Sequence, residues 1–230
     1  MMICIGHRGA RGVYPENTIQ SIEYAIDCGA PWVEIDVRAY QGRLLVIHDD
    51  TLERTTNGTG YVTDYSLLEL RALDAGNGQS IPLLEEVIAT VKQRAIINVE
   101  LKDSTSTALV LSIIEQHIAK GWSYDDFLVS SFLHQDLQWL KHANPNIRIG
   151  ALSAGVGIDD AGFAQSLAAY SINLCQESLN QKIIDDAHNR GLKVFVYTVN
   201  DTRDFIKLQH MKVDGVFTDY PEKLLKWLAR

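Results

Sequence analysis

Cysteine is scarce in this chain, and the few cysteines form no functional pattern. The 230 residues contain only Cys4, Cys28 and Cys175. Their spacing matches no metal-ligand motif, and an odd count argues against a framework of disulfide bonds. Cys4 and Cys175 fall in apolar, strand-like runs, so we expect both to be small core residues.

Long apolar stretches and runs of basic residues are missing as well. No apolar run approaches the roughly 18 residues that span a bilayer, and the N-terminus lacks the basic-then-apolar order of a secretory signal. The net charge is −8 without any run of Lys or Arg, which argues against nucleic acid as a partner. These absences predict a reduced, cytoplasmic protein with no stable membrane association, and they leave the oligomeric state open.

The remaining composition is that of an ordinary globular protein. The hydrophobic share is 46% and the charged share 22%, and a chain of this length can form one large domain, here predicted over residues 1–230. Apolar runs and segments of helical spacing alternate from residue 82 to the end. We therefore predict a repeated strand–helix architecture.

Nine runs are predicted to be strands, which is one more than a β/α barrel needs. They centre near residues 4, 34, 46, 98, 129, 149, 173, 196 and 216. Only a few residues separate Val37 from Leu44, whereas a parallel crossover needs a dozen or more. The second and third runs must then form an antiparallel hairpin, which leaves eight parallel strands. A (β/α)₈ TIM barrel is the favoured fold, and an open doubly wound sheet is the alternative.

Residues 51–80 differ from this alternation. They are polar, contain Asn57-Gly58 and Gly60, and carry one short helical patch around Leu70. A long irregular segment inside a compact domain is usually functional. We interpret it as an insertion that serves as a lid or a specificity element.

Ionisable residues are concentrated at the ends of the first few predicted strands. In a β/α barrel the functional side chains gather where the strands end, at their carboxyl edge. The residues expected there are His7 and Arg8, Glu34 and Asp36, His48 and Asp49, and Glu100 and Lys102. Strands later in the chain end mainly in Ser, Leu, Cys or Thr, so the chemistry is predicted on one half of the barrel mouth.

Glu34, Asp36 and Glu100 would place three carboxylates close together. Their mutual repulsion favours a bound cation, and an all-oxygen ligand set suits Mg²⁺ or Ca²⁺. Three carboxylates and one phosphodiester carry four negative charges. One divalent cation with Arg8 and Lys102 supplies four positive charges, so the site is neutral only when metal and anion are both bound.

His7 and His48 are candidates for acid–base catalysis at such a site. One imidazole would take the proton of an attacking hydroxyl, and the other would protonate the leaving alkoxide. The cation and the basic side chains would stabilise charge on the phosphoryl oxygens. Whether the attacking hydroxyl belongs to the substrate or to water stays open.

Several motifs together resemble the glycerophosphodiester phosphodiesterase family, most of all its short cytoplasmic bacterial members. They run in order from His7 to about Pro221: Gly-His-Arg-Gly, Pro-Glu-Asn-Thr, Glu-Ile-Asp-Val, Ile-His-Asp-Asp-Thr-Leu-Glu-Arg-Thr-Thr-Asn-Gly, Glu-Leu-Lys, Val-Tyr-Thr-Val-Asn and Thr-Asp-Tyr-Pro. The resemblance implies a barrel shared with phosphatidylinositol-specific phospholipases C. It also implies hydrolysis of glycerophosphodiesters, such as glycerophosphocholine and glycerophosphoethanolamine, to sn-glycerol 3-phosphate and an alcohol.

The resemblance also implies roles for individual residues. It assigns catalysis to His7 and His48, the metal to Glu34, Asp36 and Glu100, and the phosphate to Arg8 and Lys102. Tyr197 stands where many family members have Trp, which implies a wall of the substrate pocket. The 51–80 stretch matches the family's characteristic insertion.

Other side chains are left with two interpretations each. Phe132 is a candidate lining residue of the pocket. Asp49 either orients His48 or caps the loop, and Glu16 and Asn17 either support the site or begin a helix. The five remaining histidines are interpreted as surface or helix-end residues, and Ser130-Ser131 as barrel packing.

Two other functions compete with the soluble phosphodiesterase. A lipid-directed phospholipase of the same superfamily would need exposed apolar residues around the mouth, and the polar insertion argues against it. A catalytically silent phosphodiester-binding protein would not need both histidines and all three carboxylates, which this sequence has.

Overall fold

A closed barrel of parallel strands forms the centre of the molecule. The computed structural model describes residues 2–155 and 157–230. Across these residues the strands are β1 (Ile3–Gly6), β2 (Trp32–Tyr40), β3 (Arg43–Val46), β4 (Ile96–Leu101), β5 (Phe127–Ser131), β6 (Ile149–Ser153), β7 (Ser171–Cys175), β8 (Lys193–Tyr197) and β9 (Gly215–Thr218). Eight of them pair in parallel in the order β1-β9-β8-β7-β6-β5-β4-β2, and β1 pairs with β2 to close the ring. The predicted TIM barrel is confirmed.

β3 is the strand that the barrel does not use. It pairs antiparallel with the last four residues of β2, in a register that joins Val37 to Val46 and Tyr40 to Arg43. The first part of β2 pairs instead with its barrel neighbours β1 and β4. The predicted hairpin arm is thus confirmed, and it returns the chain to the barrel mouth just before His48.

Helices cover the outside of the barrel and also occur in the insertion. They are α1 (Ile19–Asp27), α2 (Leu67–Ala72), α3 (Leu84–Val91), α4 (Ser106–Ile118), α5 (His134–Ala143), α6 (Gly162–Ser166), α7 (Gln181–Asn189), α8 (Thr202–His210) and α9 (Pro221–Leu228). Helix α6 is only five residues long. Ala168 has a φ of 51°, a left-handed conformation that ends a right-handed helix. No helix in the ranges described is both long and apolar enough to cross a membrane.

Alternation along the strands separates two apolar layers. Val33, Ile35 and Val37 of β2 belong to the large core between the sheet and the helices. Trp32 belongs to the smaller cluster with Ile5, Leu128, Phe195 and Phe217. Since side chains along a strand alternate between faces, Glu34 and Asp36 share the face of Trp32 and point into the barrel.

The insertion has an apolar core of its own, although its sequence is mostly polar. Leu52 and Leu70 are fully buried there, and Val62 and Ala75 pack in the same cluster. Leu45 of β3 belongs to this cluster as well. The insertion is therefore anchored on the hairpin arm by apolar packing.

Candidate active site

A cavity of about 200 Å³ opens at the carboxyl ends of the barrel strands. Eight of the nine site residues predicted from the sequence line it: His7, Arg8, Glu34, His48, Glu100, Lys102, Phe132 and Tyr197. The ninth, Asp36, is buried next to them, with 1% of its surface exposed. The barrel thus brings together residues that are far apart in the sequence: His7 and Tyr197 are separated by 190 positions.

The three predicted metal ligands form a compact cluster. Each of Glu34, Asp36 and Glu100 offers a carboxylate oxygen that lies within 4.8 Å of the others. Glu34 accepts a hydrogen bond from the backbone N–H of Arg8 through Oε2, at 2.8 Å, while its buried Oε1 has no hydrogen-bond partner among the described residues. An unpaired, buried carboxylate oxygen is costly, and a hard cation would satisfy it. The donor set therefore fits Mg²⁺ or Ca²⁺.

The electrostatics of the cluster also fit a cation. Burial, and then the charge of Asp36, raise the pKa of Glu34 well above its ordinary value, and the same two causes raise the pKa of Glu100 to about 7. Burial alone would raise the pKa of Asp36 too, but Lys102 and Arg8 outweigh it, so that pKa is lowered. Three carboxylates cannot all ionise at neutral pH at low cost without added positive charge.

Arg8 and Lys102 supply part of that positive charge. The Arg8 guanidinium lies with Nε 3.1 Å from Asp36 Oδ2 and donates through Nη1 to Glu16 at 2.6 Å. The Lys102 ammonium lies 3.1 Å from Asp36 Oδ1 and pairs with Glu100. Both side chains are mostly buried and line the edge of the cavity.

The turn after β1 holds Arg8 in an unusual backbone conformation. Arg8 has a φ of 50° and Gly9 one of 82°, a region that side chains with a Cβ rarely adopt. A Cβ on Gly9 would also lie 2.5 Å from Ser21 Oγ. Glycine is required here, and the turn directs the N–H of Arg8 at Glu34.

His7 is held by a carboxylate that the sequence analysis did not single out. Its Nδ1 lies 2.7 Å from Asp219 Oδ1, and Asp219 Oδ2 accepts a hydrogen bond from Asn200 at 2.8 Å. Burial lowers the pKa of His7, and the hydrogen bond to Asp219 opposes that effect. Asp219 directly follows β9, so the criterion of strand ends that found the other residues could have found it.

His48 has a carboxylate partner of the same kind. Its Nδ1 lies 2.5 Å from Asp49 Oδ1, which favours the orienting interpretation of Asp49 over the capping one. Burial is the largest cause that lowers the pKa of His48. Both histidines use Nδ1 for a carboxylate, which leaves Nε2 as the nitrogen available to a substrate.

Glu16 and Asn17 support the site and do not cap helix α1, which is capped by Thr18. Asn17 donates from Nδ2 to Asp36 Oδ2 at 2.8 Å and accepts from the Asp36 N–H. Glu16 pairs with Arg8. Of the two interpretations left open by the sequence, these contacts favour the supporting one.

Aromatic side chains form the opposite wall of the cavity. The rings of Phe132 and Tyr197 meet edge to face with centroids 6.1 Å apart. Tyr197 donates its hydroxyl to the carbonyl of Ser153, and 47% of the Phe132 surface is exposed at the rim. The mouth therefore has a charged half and an apolar half.

The remaining candidates lie away from the cavity. The other five histidines occupy helices: His117, His134, His142, His188 and His210. Ser130 and Ser131 are fully buried in β5, as expected for packing residues. A larger cleft, about 520 Å³, runs between the insertion and the loop after β1, but it is lined by neither catalytic candidate and by none of the clustered carboxylates.

Comparison with known proteins agrees with this site. The sequence model of the Glycerophosphoryl diester phosphodiesterase family matches residues 7–223. A glycerophosphodiester phosphodiesterase of Caldanaerobacter subterraneus subsp. tengcongensis is 33% identical, over 99% of this chain and 98% of the relative. Another, from Bacillus altitudinis, is 34% identical over 96% of this chain and 95% of the relative.

A solved structure matches the fold equally well. It is an Oleispira antarctica phosphodiesterase in complex with the product sn-glycerol-3-phosphate, with a TM-score of 0.91, 31% identity, and coverage of 99% of this chain and 97% of that one. Matches of this length, on a barrel of this architecture, show that the chain belongs to the glycerophosphoryl diester phosphodiesterase family and is a phosphoric diester hydrolase.

Proposed function

We propose that the protein hydrolyses soluble glycerophosphodiesters, such as glycerophosphocholine and glycerophosphoethanolamine, to sn-glycerol 3-phosphate and an alcohol, with one divalent cation. The observation that carries this proposal is that a carboxylate cluster, two positively charged side chains and two histidines with carboxylate partners meet at one cavity. The product named for the Oleispira antarctica structure supports the same substrate class.

Glu34, Asp36 and Glu100 would hold the cation, which we propose to be Mg²⁺ or Ca²⁺. The unpaired Oε1 of Glu34 and the raised pKa of Glu100 both favour added positive charge among these carboxylates. When bound, such a cation polarises a phosphoryl oxygen and stabilises the charge that develops on it.

Arg8 and Lys102 are proposed to bind the phosphate from the other side. Both lie at the cavity edge and are held in place by Asp36, which contacts each of them at 3.1 Å. A guanidinium can donate two parallel hydrogen bonds to a phosphate, and an ammonium acts as a compact charge. Because the substrate anion completes the charge balance of the site, binding of metal and of diester should reinforce one another.

His7 and His48 are proposed to move the protons. With Nδ1 of each ring at a carboxylate oxygen, each Nε2 is free to face the substrate. One Nε2 takes the proton of the attacking hydroxyl and the other gives a proton to the leaving oxygen. Burial lowers the pKa of both rings, so that a neutral imidazole is available as the base near neutral pH. The ring that acts as the acid must be protonated before it donates, and the negative charge of a bound phosphodiester favours that protonated form.

The apolar wall is proposed to orient the diester. Phe132 and Tyr197 offer ring surface to carbon atoms, and Leu152 and Phe217 lie beside them in the same cavity. This wall would contact the carbon skeleton of the glycerol moiety while the phosphate occupies the charged half.

The deciding experiment is an assay of the purified protein with glycerophosphocholine. We expect sn-glycerol 3-phosphate to be released with Mg²⁺ or Ca²⁺ and not with excess chelator. Absence of product under every metal condition would refute the enzymatic proposal and favour a silent binding protein. Faster turnover of a lysophospholipid than of glycerophosphocholine would favour the lipid-directed alternative, for which exposed Phe132 and Leu133 would be the apolar rim.

A further inference from the structure

Arg54, an insertion residue, touches two separate parts of the site. Its Nε donates to Asp49 Oδ2 at 2.5 Å, and its two terminal nitrogens donate to both oxygens of Glu16, at 2.7 and 2.9 Å. Asp49 in turn contacts His48, and Glu16 contacts Arg8. One guanidinium thus bridges the partner of a histidine and the partner of a phosphate-binding arginine.

We propose that Arg54 is a positioning residue that sets the orientation of both His48 and Arg8 through this bridge. The inference rests on the function proposed above for those two residues. It assigns the insertion a direct part in assembling the site, beyond the lid or specificity role expected from the sequence.

The contact of Arg54 with Asp49 fixes His48. The Asp49 carboxylate is held at one oxygen by Arg54 and at the other by the imidazole Nδ1. Without Arg54 that carboxylate could rotate, and the ring would lose a fixed direction. The hydrogen bond from Arg54 is also the largest cause that holds the pKa of Asp49 well below its ordinary range, so the carboxylate stays a pure acceptor for the ring.

The contact of Arg54 with Glu16 fixes Arg8. Glu16 is 10% exposed and shares its charge between Arg54 and Arg8, with Arg11 Nε farther away at 3.6 Å. If Arg54 were removed, Glu16 would be free to turn fully toward Arg8 and draw that guanidinium away from the cavity. We therefore expect weaker binding of the phosphate in addition to slower turnover.

The geometry requires arginine at this position. Three nitrogens of one planar group meet three carboxylate oxygens in a fixed arrangement, whereas a lysine ammonium is a single point charge on a flexible stem. Arg54→Lys should keep the positive charge and lose the bridge, so it should resemble Arg54→Ala more than the wild type.

Arg71 offers a matched control. It is the same residue type in the same insertion, and it binds Glu86 of α3 through both terminal nitrogens, at 2.6 and 2.7 Å. It therefore also tethers the insertion to the barrel, but it contacts neither His48 nor Arg8, nor their carboxylate partners. Arg71→Ala measures the cost of a lost tether alone.

The test compares Arg54→Ala, Arg54→Lys and Arg71→Ala in glycerophosphocholine hydrolysis, in thermal unfolding and in calorimetric binding of sn-glycerol 3-phosphate. For Arg54→Ala we expect kcat/KM to fall about 10- to 100-fold, the scale of a small misplacement of reacting groups, with kcat lowered and KM raised. Binding of sn-glycerol 3-phosphate should weaken about tenfold, and added guanidinium should restore part of the activity. Arg71→Ala should stay within about threefold of the wild type in every rate.

Two results would overturn the inference. One is Arg54→Ala with rates and product binding within about threefold of the wild type. The other is an equal loss in Arg54→Ala and Arg71→Ala that follows their loss of Tm. A wild-type protein that binds the product but hydrolyses no diester refutes the proposed function instead. The comparison of product binding between the two alanine variants then still decides whether Arg54 positions Arg8.

Discussion

His7 and Asp219 lie at opposite ends of the chain, 212 residues apart, yet Nδ1 of the histidine is 2.7 Å from Oδ1 of the aspartate. Closure of the barrel makes this contact, because β1 pairs with β9 and both residues directly follow those strands. Asp219 can therefore fix the tautomer and the direction of the imidazole, as the buried carboxylate does in Ser-His-Asp triads.

Asp219→Asn should lower kcat by about 10²-fold or more while KM changes little, because an amide can hold the ring in the wrong tautomer. The hydrogen bond to Asp219 opposes the effect of burial on the pKa of His7, so its loss should lower that pKa further. The kinetic pKa that depends on His7 should then move to lower pH. Steady-state rates over a range of pH test both points, and an unchanged kcat would remove Asp219 from the mechanism.

His7→Ala and His48→Ala should each reduce turnover by several orders of magnitude and leave metal binding nearly intact. Neither histidine belongs to the carboxylate cluster that is proposed to hold the metal. The expected loss of turnover is therefore a loss of proton transfer alone. Single-turnover rates and calorimetric titration with Mg²⁺ or Ca²⁺ measure the two effects. His142→Ala is the control, since His142 is exposed on α5; wild-type-like turnover in either site variant would exclude that histidine from catalysis.

Glu100→Gln should change how the stability of the metal-free protein depends on pH. The folded pKa of Glu100 is raised from 4.5 to about 7 by burial and then by Asp36. A carboxyl group with a raised folded pKa loses its stabilising contribution as pH rises through that window, because the folded state binds more protons than the unfolded state. Metal-free wild type should therefore lose Tm relative to Glu100→Gln as pH rises from about 4.5 to about 7.

Metal should reverse that order. A divalent cation stabilises the folded state that binds it, so added Mg²⁺ or Ca²⁺ should raise the Tm of the wild type by more than that of Glu100→Gln. Thermal unfolding at several pH values, with chelator or with metal, gives the comparison. Parallel Tm curves for the two proteins in chelator would contradict the shifted pKa.

The sequence predicted the barrel because the constraints on it are local and additive. Apolar alternation located the strands, and the short distance between Val37 and Leu44 allowed only the hairpin that the register of β2 with β3 confirms. Alternation along β2 also places Glu34 and Asp36 inside the barrel. These residues share a face with Trp32, whichever residues surround them.

Contacts between side chains of distant segments were harder to predict from the sequence. Arg54 belongs to one of the family motifs, but its bridge between Asp49 and Glu16 depends on how the insertion packs against the loop after β1. The polarity of the insertion likewise concealed Leu52 and Leu70, whose burial follows from a fold that no periodicity in that stretch indicates. Such features follow from tertiary structure, so strand and helix patterns do not contain them.

Gly9→Ala should damage stability and activity together, because two costs fall on one position. Gly9 has a φ of 82°, and its Cβ would lie 2.5 Å from Ser21 Oγ and 2.6 Å from the Ser21 carbonyl carbon, so the turn that directs Arg8 would have to move. Gly29→Ala is the matched control, since Gly29 has a φ of 95° but no atom of the residues that the structure describes lies within 4 Å of the added Cβ. The control should lose about 1–2 kcal/mol of its free energy of unfolding from the left-handed conformation alone and keep its kcat/KM.

Gly9→Ala should lose more of its free energy of unfolding in chemical denaturation and reduce kcat/KM at least tenfold, on the scale of misplaced binding groups. Equal losses of stability in the two variants, with activity preserved in both, would mean that the β1 turn tolerates the methyl group and does not set the position of Arg8.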